Sequence, residues 1–370
     1  MKKNYNQNSL VNFSNSFLKH FNAPTFHDTI PEIDAVLGNH QKVAVILFDG
    51  MGHNIVRKHL TPDHFIREHY LHTIYSTFPP TTTAATTAFL TGLYPIETGW
   101  LSWAQYFEKY QRNIILFKNT DYNTEEKVEP DGIAFDYLPI TNILQIIKEN
   151  NKDVNAFAVQ RYPINPQGPK TLKDFEKAIN KALKSNDKCF AYLYFDSPDY
   201  EMHAYGIDSF KIRRLVRKIN RLVKRVVEAN KDTLFFTFAD HGHINVKFLD
   251  ICEHNDLYSL ISKPISFEKR TANFFVKEGK LEEFKELFNR YYGEYFRLMS
   301  KEEVLENELF GEGNINPKSL EFIGDFIAAS TSPYCLYASK ETKEGKVTFK
   351  GHHAGMTEDE MLIDISVYNV

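Results

Sequence analysis

Cysteine is scarce in this sequence. The 370 residues include three cysteines, Cys189, Cys252 and Cys335, which are widely spaced and form no CxxC pair. An odd number at such spacing argues against a disulfide framework and against a zinc site built from thiolates. We therefore expect a protein of a reducing compartment, the cytoplasm.

A strong charge of one sign and long apolar runs are also missing. The formal net charge is −4, whereas a dedicated nucleic-acid-binding protein is usually strongly basic. No stretch of about 18 apolar residues occurs, so we expect no membrane span. The N-terminus MKKNYNQNSLVNF lacks the apolar core of a signal peptide.

Apolar residues are nevertheless plentiful, at 42%, and 14% of the residues are aromatic. This balance is typical of a globular protein with a large core. The length suggests about two domains, or one large α/β domain with an insertion.

Continuous apolar runs alternate with helical patterns along the chain. Such runs indicate strands that are buried on both faces, and they cover residues 43–49, 154–159, 189–196 and 233–240. Helical patterns begin at Thr171 and cover about 208–229. The alternation predicts a doubly wound, mostly parallel central sheet with helices on both faces.

Two regions are less regular, 103–135 and 245–345. We predict that residues 1–370 form a single α/β catalytic domain and that about 245–345 includes an inserted cap. In doubly wound sheets, ligands bind beyond the carboxyl ends of the strands. Asp49, Asp196 and Asp240 each close a predicted strand, so this edge is the expected site.

Aspartate and histidine recur in four short segments, two of which contain both. They are Asp49 in FDGMG, Asp199 and His203 in SPDYEMHAYG, Asp240 and His241 in FADHGH, and His352 and His353 in GHHAGM. Oxygen and imidazole donors without thiolate suit zinc, manganese or iron. Three Asp and three His would give two metal ions three ligands each. Two close metal ions are the usual device for phosphoryl transfer.

A hydroxyl nucleophile is available in STFPPTTTAATTAFLTGLYP, where Thr81, Thr82 and Thr83 precede a helix of small residues. Coordination to a metal lowers the pKa of such a hydroxyl and activates it. The N–H groups at the start of the helix would favour an anionic phosphate. The pattern alone leaves open which threonine attacks and which merely cap the helix.

Taken in order over about 43–356, these motifs resemble the alkaline phosphatase superfamily. More narrowly, they resemble its nucleotide pyrophosphatase/phosphodiesterase branch. The shared features are a strand ending in DG, a threonine helix with TGLYP, PDxxxHxxG, DHG and a late HxG-like turn. Each motif is weak to moderate alone, but the ordered set is specific. The resemblance implies an alkaline phosphatase-like α/β fold.

The resemblance also implies residue roles. The family nucleophile lies nine residues before the Thr of TGLYP, here Thr91, which points to Thr82. Two divalent metal ions are implied, zinc or alternatively manganese, and a phospho-threonine intermediate that water hydrolyses. One ion would be held by Asp49, Thr82, Asp240 and His241, and the other by Asp199, His203 and His353, with His352 as the alternative to His353.

Some positions depart from the family pattern or stay open. Trp103 stands where eukaryotic relatives carry an asparagine that helps to hold a phosphate oxygen. His243 and Asp196 lie beside predicted ligands, where contact with a ligand and ordinary packing are both compatible with the sequence. The basic helix from Lys211 to Arg225 is expected to be a solvated face.

We therefore predict a metal-dependent hydrolase of phosphodiester or phosphoric anhydride bonds, acting on a small phosphate ester or nucleotide-like substrate. A phosphomonoesterase or phosphonate hydrolase on the same fold is the first alternative. An inactive metal-binding or regulatory module is the second. A sulfatase would need a cysteine or serine in a C/S-x-P-x-R setting, and no cysteine lies near Thr82.

Overall fold

A computed structural model describes residues 7–161, 164–343, 345 and 349–370. Residues 1–6, which belong to the N-terminus considered above for a signal peptide, lie outside the described residues. The strands are β1 (Lys42–Phe48), β2 (Tyr70–Tyr75), β3 (Ala104–Phe107), β4 (Arg112–Ile115), β5 (Thr120–Asp121), β6 (Asn155–Gln160), β7 (Cys189–Phe195), β8 (Leu234–Phe238), β9 (Ile244–Asn245), β10 (Lys247–Asp250), β11 (Ser266–Phe267), β12 (Thr271–Phe274), β13 (Phe296–Ser300), β14 (Phe326–Ser330), β15 (Tyr334–Tyr337), β16 (Gly351–His352) and β17 (Leu362–Tyr368).

The helices follow the same chain order. They are α1 (Leu10–His20), α2 (Pro31–Leu37), α3 (His53–His59), α4 (Phe65–Glu68), α5 (Thr82–Thr91), α6 (Pro95–Thr98), α7 (Ile133–Tyr137), α8 (Ile143–Asn150), α9 (Leu172–Lys184), α10 (Asp199–Tyr205), α11 (Phe210–Ala229), α12 (Asn255–Tyr258), α13 (Leu281–Tyr292), α14 (Lys301–Glu306), α15 (Ser319–Phe322) and α16 (Glu358–Met361). Short 3-10 turns cover Glu108–Tyr110, Ile251–Glu253 and Ser339–Glu341.

The central sheet has the strand order β2-β17-β8-β1-β7-β6. Strands β6, β7, β1 and β8 are parallel, and β17 runs antiparallel to both β2 and β8. Every residue of β1, β7 and β8 is buried, as a parallel sheet covered on both faces requires. The predicted mostly parallel sheet is confirmed.

Helices cover both faces of this sheet. Neighbouring residues of a strand point to opposite faces, so Phe190 and Tyr192 of β7 share one face while Phe195 lies on the other. The ring of Phe17, in α1, lies 5.1 Å from that of Phe190. On the other face, the ring of Phe175, in α9, lies 5.1 Å from that of Phe195. The two helices therefore pack on opposite faces.

A second, seven-stranded sheet has the order β13-β14-β12-β11-β3-β4-β5 and pairs its strands in antiparallel fashion. Its strands come from two separate segments, 104–121 and 266–330. The cap predicted at about 245–345 thus covers only part of this sheet. The first segment lay in a region that the sequence analysis found irregular, because its strands are two to four residues long. The division of the chain into domains stays a prediction.

Helix α11 has an apolar and a basic side. Val216, Ile219 and Val223 are buried against the central sheet, while Arg225 on the outer side pairs with Glu176 at 2.7 Å. Within the described chain, no helix combines the length and apolar character that crossing a bilayer requires.

A buried ion pair fastens the second sheet to the end of the central sheet. Arg270, in the β11–β12 turn, and Glu360, in α16 just before β17, are both fully buried. Nε and Nη2 of Arg270 donate to the Glu360 carboxylate at 2.6 and 2.8 Å. The remaining Nη1 donates to the carbonyls of Ser332 and Tyr334, each at 2.9 Å. These four bonds engage all three nitrogens of the guanidinium, as burial of a charge demands.

We expect Arg270→Met to destabilise the fold by about 3–5 kcal/mol, because it leaves the Glu360 carboxylate buried without its cation. The double variant Arg270→Met/Glu360→Gln should be less destabilised than the sum of the two single variants. Urea denaturation measures both values. The matched control is Arg225→Met at the exposed pair, expected to cost at most about 1 kcal/mol. If the loss of stability in the double variant equals the sum of the losses in the two single variants, the pair does not have this role.

Candidate metal centre

Three carboxylates meet at the carboxyl edge of the central sheet. Asp49 directly follows β1, Asp240 lies two residues beyond β8, and Asp199 begins α10 shortly after β7. Because β7, β1 and β8 are parallel neighbours, these segments leave the sheet side by side. The backbone N–H of Gly50 donates to Oδ1 of Asp240 at 3.0 Å, and the N–H of Asp199 donates to the carbonyl of Asp49 at 3.1 Å.

Around Asp49, the four residues that the sequence assigned to one metal ion lie together. Oγ1 of Thr82 lies 3.3 and 3.4 Å from the two oxygens of Asp49 and 3.2 Å from Nε2 of His241. That nitrogen lies 3.4 Å from Asp49 and 3.5 Å from Oδ2 of Asp240. Nδ1 of His241 bonds to the Gly242 carbonyl at 2.9 Å. This bond leaves Nε2 as the free donor atom.

The residues assigned to the second ion are also adjacent. Nε2 of His203 lies 3.3 Å from Oδ2 of Asp199, one helical turn away on α10. Nε2 of His353 lies 3.7 Å from Oδ1 of the same carboxylate. The Nδ1 atoms of these two imidazoles bond to backbone carbonyls, of Gly351 and Pro80, both at 3.0 Å. Each ring again presents its Nε2.

The two groups adjoin each other. The rings of His241 and His353 stack with their centroids 3.8 Å apart. The donor atoms of Asp199, His241 and His353 all lie within 4.8 Å of one another, as do those of Asp49, Asp240 and His241. The spacing allows divalent cations at neighbouring positions.

His243 is a further member of this cluster, which the sequence analysis left open. It is fully buried, and its Nε2 lies 3.3 Å from Oδ1 of Asp199 without hydrogen-bond geometry. The donor atoms of His243, Asp199 and His203 all lie within 4.8 Å of one another. The sequence signal is its place two residues after His241. Asp196, by contrast, pairs with Arg161.

His352 and His353 differ in what their rings face. Nδ1 of His352 accepts from the backbone N–H of His353 at 2.9 Å. The ring of His352 lies beside that of His203, with centroids 4.9 Å apart. Of the two, only His353 belongs to one of the described sets of three donors that could hold a cation.

Burial governs the charges of the cluster. It raises the pKa of Asp49, reinforced by the negative charges of Asp240 and Asp199, and it raises the pKa of Asp240. Burial alone would also raise the pKa of Asp199, but the surrounding imidazoles, His203 first, bring that pKa well below its usual range. Burial lowers the pKa of His353, which favours the neutral imidazole that binds metals.

The donor set fits divalent cations. Oδ1 of Asp199 and Oδ2 of Asp240 are buried, and neither has a hydrogen-bond partner within the described chain. A buried carboxylate oxygen without a partner is costly. A cation bound between these oxygens and the nearby imidazoles would remove that cost, and oxygen and nitrogen ligands suit zinc or manganese.

The second sheet reaches this centre as well. Thr81, next to Thr82, donates from Oγ1 to the buried Glu268 at 2.6 Å. Burial raises the pKa of Glu268 to about 7. No motif singled out Glu268 in the sequence, because the contact depends on the β11–β12 turn. Trp103 is half-buried, with Nζ of Lys118 5.5 Å from its ring centre.

The fold and the ordered motifs define a hydrolase of the alkaline phosphatase superfamily. The chain belongs to the type I phosphodiesterase / nucleotide pyrophosphatase family, whose sequence model matches residues 43–356. The predicted superfamily and branch are thereby confirmed, as is the prediction of a hydrolase that acts on phosphoric ester or anhydride bonds.

Solved structures share the fold. An inactive form of murine ectonucleotide pyrophosphatase/phosphodiesterase 5 in complex with AMP is 17% identical, with a TM-score of 0.65. The human ectonucleotide pyrophosphatase/phosphodiesterase 5 is also 17% identical, with a TM-score of 0.66. Both alignments cover 89% of this chain and 88% of the other. The likeness therefore extends over nearly the whole of both chains.

We expect Asp240→Asn to raise the melting temperature of the metal-free protein. The raised pKa of Asp240 means that the folded state favours the protonated carboxyl, so ionisation at neutral pH costs stability. The amide removes this cost and keeps the bond from Gly50. Calorimetry should show an increase of roughly 2–4 °C for each kcal/mol gained.

The same variant should lose the stabilisation that zinc or manganese gives the unaltered protein, about 2.7 kcal/mol at 100 times the dissociation constant. Asp121→Asn is the control, because Asp121 is also buried but accepts from the N–H groups of Asn123 and Thr124 at 2.9 Å. A metal-free Asp240→Asn protein that melts below the unaltered one would refute the charge argument.

Proposed function

We propose that two divalent cations, zinc or alternatively manganese, bind at the carboxyl edge of the central sheet. Support comes from the unpartnered oxygens of Asp199 and Asp240 and from the Nε2 atoms turned toward them. One ion is assigned to Asp49, Thr82, Asp240 and His241, and the other to Asp199, His203 and His353. Bound there, the cations supply Lewis acidity that lowers the pKa of a hydroxyl and offsets phosphate charge.

Thr82 is our proposed nucleophile. Of the three consecutive threonines, it is the one whose hydroxyl faces both Asp49 and His241, and this observation carries the proposal. The Thr81 hydroxyl is engaged by Glu268. Thr82 is also the first residue of α5, so the free N–H groups of the first helical turn favour an anionic phosphate beside its Oγ1.

The reaction is a double displacement. The Thr82 hydroxyl releases its proton to solvent, and its oxygen bonds to phosphorus while the bond from phosphorus to the leaving oxygen breaks. The leaving oxygen takes up a proton from water. A water molecule then bonds to phosphorus, the bond to Thr82 breaks, and the threonine oxygen regains a proton. Asp49 orients the attacking hydroxyl through its contact with Oγ1 of Thr82.

A nucleotide-like diester or anhydride is the proposed substrate class. It is supported by family membership and by the AMP bound to the murine relative. A phosphomonoesterase or phosphonate hydrolase on this fold remains the alternative, and an inactive metal-binding module the second. The cytoplasmic location also remains a proposal, consistent with three free cysteines.

Turnover of two chromogenic esters tests this function. We expect the zinc- or manganese-loaded protein to hydrolyse bis-p-nitrophenyl phosphate faster than p-nitrophenyl phosphate. Thr82→Ala should reduce kcat by about 10³-fold or more, because it removes the hydroxyl that is proposed to attack phosphorus. Thr82→Ser, which keeps the hydroxyl, should retain measurable turnover and accumulate a phosphoryl adduct on that residue by mass spectrometry.

Thr83→Ala is the matched control, since its Oγ1 is buried next to Thr82 without a hydrogen-bond partner among the described residues. It should keep turnover within a few fold of the unaltered protein. Faster cleavage of the monoester would favour the phosphomonoesterase alternative. Turnover that survives Thr82→Ala would exclude this nucleophile.

A further inference from the structure

The tight turn between β11 and β12, residues 268–271, is docked onto the metal centre. Its ends are held together by the N–H of Glu268, which donates to the Thr271 carbonyl at 3.0 Å, and by the reverse bond at 3.2 Å. Oγ1 of Thr271 donates to the carbonyl of Ala354, the neighbour of His353, at 2.5 Å. Together with the bond between Glu268 and Thr81, this places the turn against both sides of the proposed site.

Lys269 is the member of this turn whose side chain is not fastened to the centre. Its Nζ donates to the hydroxyl of Tyr122 at 2.9 Å and lies 4.6 Å from the centre of that ring. The side chain is half-buried. In the described parts of the chain, no carboxylate lies within ion-pair distance of this ammonium, since Glu268 turns to Thr81 and Glu360 to Arg270.

Lys269 lies in the chain between two residues that contact the candidate metal centre, Glu268 through Thr81 and Thr271 through Ala354. Lys263 gives the contrast. It lies in the same part of the chain and also over an aromatic ring, that of Tyr106, but it is neutralised by Glu108 at 2.6 Å. A half-buried ammonium without such a partner is a ready contact for an anionic ligand.

We infer that Lys269 binds a second anionic group of the substrate, beyond the phosphoryl group that Thr82 attacks. This inference rests on the proposed function. When one phosphorus of a phosphoric anhydride is attacked, the other phosphate is the leaving group. Lys269 therefore selects anhydrides, in which two phosphates are adjacent, over diesters with one phosphate. Tyr122 positions the ammonium through its hydroxyl and ring.

Two substrates that share a nucleoside test this selectivity. Dithymidine pyrophosphate has two phosphates, and the p-nitrophenyl ester of thymidine monophosphate has one. Lys269→Met, similar in shape but uncharged, should raise KM for the anhydride by about 10–100-fold, the effect of losing one charge-assisted hydrogen bond. The KM of the ester should stay within about twofold. Lys269→Arg should recover most of the loss, and Lys263→Met should change neither substrate.

Binding without turnover separates this inference from the proposed function. Thymidine diphosphate and thymidine monophosphate are titrated by calorimetry into metal-loaded Thr82→Ala protein, with and without Lys269→Met. Adding Lys269→Met should weaken the binding of thymidine diphosphate at least about tenfold. The binding of thymidine monophosphate should change little. If Lys269→Met weakens the binding of both nucleotides equally, or does not weaken the binding of either, the proposed role of Lys269 is wrong. Failure to hydrolyse either ester or anhydride would count against the proposed function alone.

Discussion

Repulsion among the closely placed carboxylates of Asp49, Asp199 and Asp240 is the constraint on which the rest of the structure depends. Parallel neighbouring strands deliver these groups to one edge of the sheet, where burial and mutual charge raise the pKa of Asp49 and of Asp240. Such an arrangement lowers the stability of the protein by itself. It is compatible with a folded chain because imidazoles surround Asp199 and because the core beneath it is large.

Three histidines are oriented in the same way around these carboxylates. His203, His241 and His353 each engage a backbone carbonyl through Nδ1, so all three direct Nε2 at the carboxylates. Imidazoles fixed in this way would present their Nε2 atoms to a cation without having to turn. The carbonyls belong to Gly351, Gly242 and Pro80, which lie within the motif segments themselves. The motif residues beside the ligands therefore determine the direction of each ring.

Much of this could be predicted from the sequence, since strong signals mark the central sheet and its edge. The runs 43–49 and 189–196 are continuous and apolar, and the ordered motifs carry Asp49, Thr82 and Asp240. The second sheet could not be predicted. Strands such as β5 and β11 are two residues long, too short for a hydrophobic period, and the pairing of β11 with β3 joins Phe267 to Ala104, which are far apart in the chain. Contacts made by that sheet, such as the one between Glu268 and Thr81, were missed with it.

The side of the site next to the central sheet could be predicted and the side formed by the second sheet could not, because different kinds of contact hold the two sides in place. The proposed metal-binding side takes Asp49, Asp199 and Asp240 from segments that follow long buried strands, and the chemistry proposed for it restricts residue types to Asp, His and Thr. The opposite half is a turn, 268–271, whose place depends on the buried pair between Arg270 and Glu360. A pair of this kind stabilises the fold little compared with an apolar packing, but it penalises any register that separates the two charges. It therefore helps to hold the turn that carries Glu268 and Lys269 beside the threonine helix, together with the bonds from Thr81 to Glu268 and from Thr271 to Ala354.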